Sequence, residues 1–120
     1  MKKFTPSARL RSFKYAFDGL KTLFADEPNA WIHLSAAVSA VTAGFLLHIS
    51  SNEWLAVIIC IGIVFAVESF NTALENLCDK VSPERNDVIR KVKDLAAAAV
   101  LVVSIASFIT GLIIFVPKIG

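Results

Sequence analysis

The chain has 120 residues, is 56% hydrophobic, and carries a formal charge of +2 with a mean hydropathy of +0.66. These values exclude an ordinary soluble domain of this length, and the near balance of charge gives no footprint for nucleic acid. With 4 prolines, 5 glycines, no low-complexity block and no fixed-period repeat, residues 1–120 read as one membrane domain.

The first element is an amphipathic helix over about residues 7–24. Phe13, Ala16, Phe17, Leu20, Leu23 and Phe24 follow the i, i+3, i+4, i+7 pattern, while Arg11, Lys14, Asp18 and Lys21 take the other face. Residues 1–23 hold no continuous apolar stretch, so no signal peptide is expected there. Such a helix lies in the headgroup layer, either as a surface anchor or as a lid or wall for an interfacial site. Pro28 disfavours helical geometry at Glu27 and breaks the helix.

Three stretches then reach the roughly 20 residues that a bilayer requires. The first, 31–49, is uncharged apart from His33 and His48 near its ends, where a polar ring can reach the interface. The second, 54–77, carries Glu68 and Glu75 in its last third, and the third, 95–116, carries no charge. Small residues recur along these spans, as in Ala36, Ala40 and Gly44 or Ser104, Ser107 and Gly111, a spacing that permits close helix approach. Cys60 and Cys78 lie on one expected helix, about 27 Å apart at 1.5 Å per residue, too far to pair.

Basic residues set the expected orientation. Lys2, Lys3, Arg9, Arg11, Lys14 and Lys21 precede the first span, and Lys80, Arg85, Arg90, Lys91 and Lys93 fall in the 79–94 connection, whereas Ser50–Glu53 has none. By the positive-inside rule the N-terminus and that connection face the cytoplasm, with Lys118 a minor violation.

The second span holds the chemistry. At about 100° per residue, with Glu68 at zero, Asn71 falls near −60°, Thr72 near +40°, Glu75 near −20° and Asp79 near +20°. All five polar groups share one stripe, and Val67, Phe70, Leu74 and Leu77 lie opposite. A carboxylate at the bilayer centre costs about 2.5–3.5 kcal/mol on insertion scales, and such groups usually face a bundle interior or a wet cavity. Glu68 and Glu75, two turns apart on one face, could share a divalent cation, relay protons, or divide the roles of base and metal ligand. For Asp79 a plain surface pairing with a lysine or arginine is also reasonable.

In the connection, Ser82-Pro83-Glu84 reads as a helix start, with Ser82 as N-cap and Pro83 in the first turn. Glu84, Arg85, Asp87, Arg90 and Lys91 read as a solvated face. Lys93-Asp94 sits at the membrane level of Asp79, where Lys93 could hold a phosphate and Asp94 could orient it or bind a metal.

The assembled pattern, Glu68-x-x-Asn71-Thr72-Ala73-x-Glu75-x-x-x-Asp79, then Ser82-Pro83-Glu84, then Lys93-Asp94-x-x-x-x-Ala99-Val100-Leu101-Val102, resembles the signature of the small bacterial integral-membrane diacylglycerol kinase and undecaprenol kinase family. Ala16-x-x-Gly19-Leu20 and Glu27 extend the match over essentially the whole chain. The resemblance implies an all-α homotrimer, each chain with an interfacial helix and three spans, in the bacterial cytoplasmic membrane. It would transfer the γ-phosphoryl group of Mg-ATP to a lipid hydroxyl, undecaprenol favoured and diacylglycerol close behind.

The same resemblance implies Glu68 as general base beside the lipid hydroxyl and Glu27 and Glu75 as ligands of Mg2+. It implies a nucleotide site from Tyr15, Glu27, Glu75, Glu84, Arg85, Asn86, Lys93 and Asp94, with Asn71 and Asp79 completing the polar surface. Lipid contacts would come from Ser12, Phe13, Lys14, Tyr15, Ala16 and Phe17, from Lys21 to Phe24, from Asn29 to His33, and from Glu68 and Ala97. Ala8 departs from diacylglycerol-specific members, which carry a nucleotide-contacting arginine there, so Arg9 or Arg11 must substitute or that contact is missing. The chain has no GxxxxGK[ST] and no kinase-type Gly-rich loop. A proton-coupled transporter is the alternative, and it would need a polar path continuing past Glu68.

Overall fold

The computed structural model describes residues 3–84 and 86–120, all helix and short connections. Four helices follow in order: α1 (Pro6–Asp26), α2 (Pro28–Leu46), α3 (Ser51–Val81) and α4 (Asp87–Ile119). The last three are long and apolar enough to cross a membrane. The protein is an all-helical, multi-pass membrane protein with a separate amphipathic helix at its N-terminal end.

Each boundary has a local cause. Thr5 Oγ1 accepts the Ala8 N–H at 3.1 Å and Pro6 occupies the first turn of α1, where a missing N–H costs nothing. Between α1 and α2 a single residue is extended: Glu27, at φ −117° and ψ 106°, the geometry that Pro28 imposes on its predecessor. Its N–H donates to Leu23 O at 2.9 Å and its side chain accepts the Asn29 N–H at 3.2 Å, so Glu27 ends one helix and caps the next.

α2 stops at Leu46, three residues short of the sequence expectation. His48 adopts a left-handed φ of 52°, which turns the chain and sends Ile49 into a small core with Val57 and Ile114. Ser50 then begins α3 through a capping box, accepting the Glu53 N–H at 3.2 Å while Glu53 Oε1 accepts the Ser50 N–H at 2.9 Å.

The expected helix start at Ser82 is not formed. α3 runs on to Val81, the Ser82 N–H donates back to Cys78 O at 2.9 Å as a C-cap, and Pro83 follows as a stop. The cap of α4 is Asn86, whose Oδ1 accepts the Ile89 N–H at 2.9 Å. The connection between α3 and α4 is therefore short and the two helices run antiparallel, tied by Lys93 to Asp79 at one end and Lys118 to Glu53 at the other. α3 has 31 residues, about 46 Å at 1.5 Å per residue. That exceeds a hydrocarbon core of about 30 Å, so α3 is longer than a single crossing requires.

α3 is the central element, packed against α4, α2 and α1. The small residues of α2 and α4 do not interlock within the chain; Ala36, Ala40, Ser104, Ser107 and Gly111 instead face one another across a largely apolar cavity of about 480 Å3. Large apolar side chains such as Phe70, Leu77, Leu101, Phe108 and Ile113 stay exposed on the outer faces.

Candidate active site

The site is built on the second half of α3. Glu68 is fully buried at 0% exposure, and Asn71 and Thr72 follow at 7% and 8%, so three of the five stripe residues are buried on the face that helical spacing assigned them. Glu75 is half-buried and Asp79 exposed. Among the described residues Glu68 is the largest side chain to be completely enclosed.

Most buried polar atoms in proteins find a partner. Here Glu68 Oε1, Asn71 Oδ1 and Thr72 Oγ1 are all buried without one. Three acceptors in one stretch of five residues mark a place shaped for a ligand that brings its own donors or a cation. Asn71 Nδ2 donates to Glu75 Oε1 at 3.2 Å, which fixes the amide and leaves its oxygen turned to the site. Glu27 and Glu75 are near enough for their charges to act on Glu68, so the elbow between α1 and α2 contributes to the same cluster.

His33 completes the enclosure from α2. Its Nε2 lies 3.1 Å from Glu68 Oε2, with the imidazole side chain 17% exposed. The sequence reads this ring as one that can reach the interface; the structure turns it onto Glu68 and gives that carboxylate a partner on α2. Its signal was present, because His33, Ala37, Ala40 and Gly44 recur at spacings of four, three and four, which makes the histidine part of the small-residue face.

Lys93 Nζ donates to Asp79 Oδ1, joining α3 and α4. Asp94 does not orient this lysine; it receives Arg90 Nη1 at 3.3 Å, one turn back along α4. Asp79, Glu84, Arg90, Lys93 and Asp94 surround a polar cavity of about 380 Å3 together with Ser82, Pro83 and Ile89. Asn86 is occupied structurally, its amide donating to Ser82 Oγ at 3.1 Å while its oxygen caps α4. Arg85 lies outside the described residues.

Ser12, Phe13, Lys14, Tyr15, Ala16 and Phe17 lie along the exposed length of α1. The Ser12 hydroxyl donates to Ala8 O at 3.1 Å and Lys14 approaches Asp18 at 3.7 Å, both within the helix. Arg9 lies over the Phe4 ring, 5.9 Å from its centroid. Phe17, Leu20, Lys21, Phe24, Ala25 and Trp31 form a shallow, largely apolar groove where α1 meets α2. Trp31 locks that corner by donating its indole N–H to Phe24 O at 2.8 Å. Asn29 is exposed at the start of α2, and Ala97 is exposed on α4.

Among the described residues no three His, Cys, Asp or Glu side chains form a ready metal cage. Magnesium does not require one: it keeps several waters and commonly takes one or two carboxylates plus substrate phosphates. Glu75, held by the Asn71 amide beside the orphaned acceptors, is a carboxylate of that kind.

Comparison with known proteins points to one family. The family described as prokaryotic diacylglycerol kinase matches residues 14–115. An undecaprenol kinase of Bacillus subtilis is 36% identical over 108 residues, covering 90% of this chain and 88% of its own. A diacylglycerol kinase of Synechocystis is 35% identical over 109 residues, covering 90% of this chain and 62% of its own. The Escherichia coli K12 diacylglycerol kinase is 25% identical over 111 residues, covering 92% and 91%. A match over most of the chain, with a buried glutamate at the head of a polar stripe, places this protein in the prokaryotic diacylglycerol kinase family of lipid kinases.

Proposed function

We propose that the protein transfers the γ-phosphoryl group of ATP to the hydroxyl of a membrane polyprenol, with undecaprenol as the acceptor. The observation that carries this reading is the enclosed Glu68 carboxylate, one oxygen held and the other without a partner, at the head of a stripe that leads to Lys93. Phosphoryl transfer is mainly positioning and charge neutralisation, so it needs a proton acceptor at the hydroxyl, metal-binding carboxylates and a cation near the phosphates.

In this reading the lipid hydroxyl enters beside Glu68, which accepts its proton as the oxygen bonds to the γ-phosphorus and ADP leaves. Glu27 and Glu75 would hold Mg2+, which would supply neutralisation of the phosphate charge. Lys93 supplies the fixed cation, held on the α3 side by Asp79. Asn71 and Thr72 present the remaining acceptors of the cluster. The groove of Phe17, Lys21, Phe24 and Trp31 takes the acyl or prenyl chain near the headgroup level.

Support for undecaprenol comes from two sources. The Bacillus subtilis relative bears that name at 36% identity. Asn71-Thr72-Ala73, Ser82-Pro83-Glu84 and Ala8 also look closer to the undecaprenol branch. The active site faces the cytoplasm of a bacterial inner membrane, following the Lys and Arg distribution. Three copies assemble, which would cover the apolar side chains left exposed on a single chain. The transporter alternative lacks a continuing path, since the residues one and three turns outward from Glu68 on the same face, Val64 and Val57, are buried and apolar.

The test is phosphate transfer from labelled ATP by the purified protein in mixed micelles, with undecaprenol and diacylglycerol offered in parallel and Glu68→Gln as control. Transfer to undecaprenol supports the reading. Transfer mainly to diacylglycerol reverses the acceptor and keeps the mechanism, and transfer to neither by folded protein rejects it.

A further inference from the structure

We propose that His33 is a positioning residue for the reaction: it selects which oxygen of Glu68 meets the substrate, beyond any contact of its own with lipid. The proposal rests on Glu68 being the base. A glutamate side chain has three rotatable bonds, and its two oxygens are chemically equivalent until something distinguishes them. Here His33 Nε2 engages Oε2 at 3.1 Å, while Oε1 is buried and has no partner. A carboxylate acting as a base is ionised and only accepts hydrogen bonds, so in that role Glu68 Oε2 takes the shared proton from Nε2. Oε1 then keeps its lone pairs for the incoming hydroxyl.

The donor is itself held. The His33 ring meets Phe65 edge-on, with centroids 6.4 Å apart at 77°. Phe65 packs against Phe24 at 5.9 Å, and Phe24 meets Trp31 edge-on at 5.1 Å. This row of rings runs from α3 through α1 to α2 and ends one helical turn from Glu27. Base and elbow are thus fixed by one contiguous set of side chains. No other hydrogen-bonding side chain reaches Glu68 among the described residues, and the neighbouring Glu27 and Glu75 carboxylates would repel it. Without His33, the Glu68 side chain has nothing to hold it in the reactive rotamer, and a misplacement of about 1 Å can cost about 100-fold in rate.

The experiment compares His33→Phe, which fills the space without a donor, with His33→Gln, which restores an N–H at similar reach, each with and without Glu68→Gln. We expect His33→Phe to lower kcat about 10- to 100-fold, with KM for Mg-ATP and for undecaprenol changed less than about threefold. His33→Gln should recover most of that loss, and His33→Phe should add nothing further in the Glu68→Gln background. Circular dichroism and the KM for Mg-ATP establish folding; if His33→Phe does not fold, His33→Leu takes its place. A kcat within about twofold of the parent for the donor-less variant overturns the proposal, as does a glutamine variant no better than phenylalanine. If Glu68→Gln itself stays active, the base assignment fails instead, and the two failures are told apart by that one control.

Discussion

The two ends of the α3–α4 pair carry similar residues to opposite purposes. At one end Glu53 is fully employed: Oε1 takes the Ser50 N–H at 2.9 Å and Lys118 Nζ at 3.1 Å, closing a capping box and an ion pair together. Toward the other end Glu68, Asn71 and Thr72 each hold a buried oxygen that nothing among the described residues satisfies. Leaving such an atom unpaired costs about 1–3 kcal/mol, a cost that a folding site would not retain in three neighbouring residues. The contrast separates a carboxylate that builds the fold from one reserved for a ligand.

The sharpest way to break this comparison is Glu68→Gln, which keeps the shape and removes the basicity. Turnover should fall by about 100- to 10,000-fold, the usual range for a lost general base, while assembly and Mg-ATP affinity persist. Near-normal turnover would remove Glu68 from the chemistry. Next come Glu75→Gln and Glu27→Gln, expected to raise the KM for Mg-ATP by about tenfold or more with a smaller change in protein stability. Titrating Mg2+ at fixed ATP checks this, and an unchanged KM in both variants would place the metal elsewhere.

A smaller effect belongs to the folding end. At Gly44 an added Cβ would come within 2.7 Å of the Trp54 ring, which Phe45 holds from the other side at 4.8 Å. Gly44→Ala should therefore destabilise the protein by about 1–3 kcal/mol, read as a lower thermal midpoint, with turnover per folded molecule retained. The smallest change is expected for Lys118→Met. It removes half of a partly exposed ion pair, so the midpoint should move only slightly and the KM for both substrates not at all; a lost turnover would show that the two ends are coupled.

Much of the architecture was legible because it rests on period and length. Apolar runs of sufficient length gave the spans, and rotation of about 100° per residue put Glu68, Asn71 and Thr72 on one buried face. What stayed hidden depends on rotation between helices, which no local pattern encodes. The spacing to Ala37, Ala40 and Gly44 puts His33 on the small-residue face of α2, but which helix that face meets is not encoded locally, so the ring reads as interfacial from its place near the start of the span. The segment Ser82-Pro83-Glu84-Arg85-Asn86-Asp87 offers two capping residues in succession, and the choice of Asn86 follows from α3 continuing to Val81 and using Ser82 to close its own end. Asp94 likewise had two basic neighbours within reach, and the one a turn away on α4 claims it.

The single extended residue at Glu27 has a consequence for how a substrate arrives. A hinged flap needs slack, a few residues free to change their dihedral angles, and here both helices are capped through the same residue while the Trp31 indole bolts the corner to Phe24. Under the proposed function the amphipathic helix would thus be an awning over the doorway rather than a door. A long-chain alcohol would slide in from the side, travelling within the plane of the leaflet, and its product would leave by the same lateral route without the entrance having to swing open.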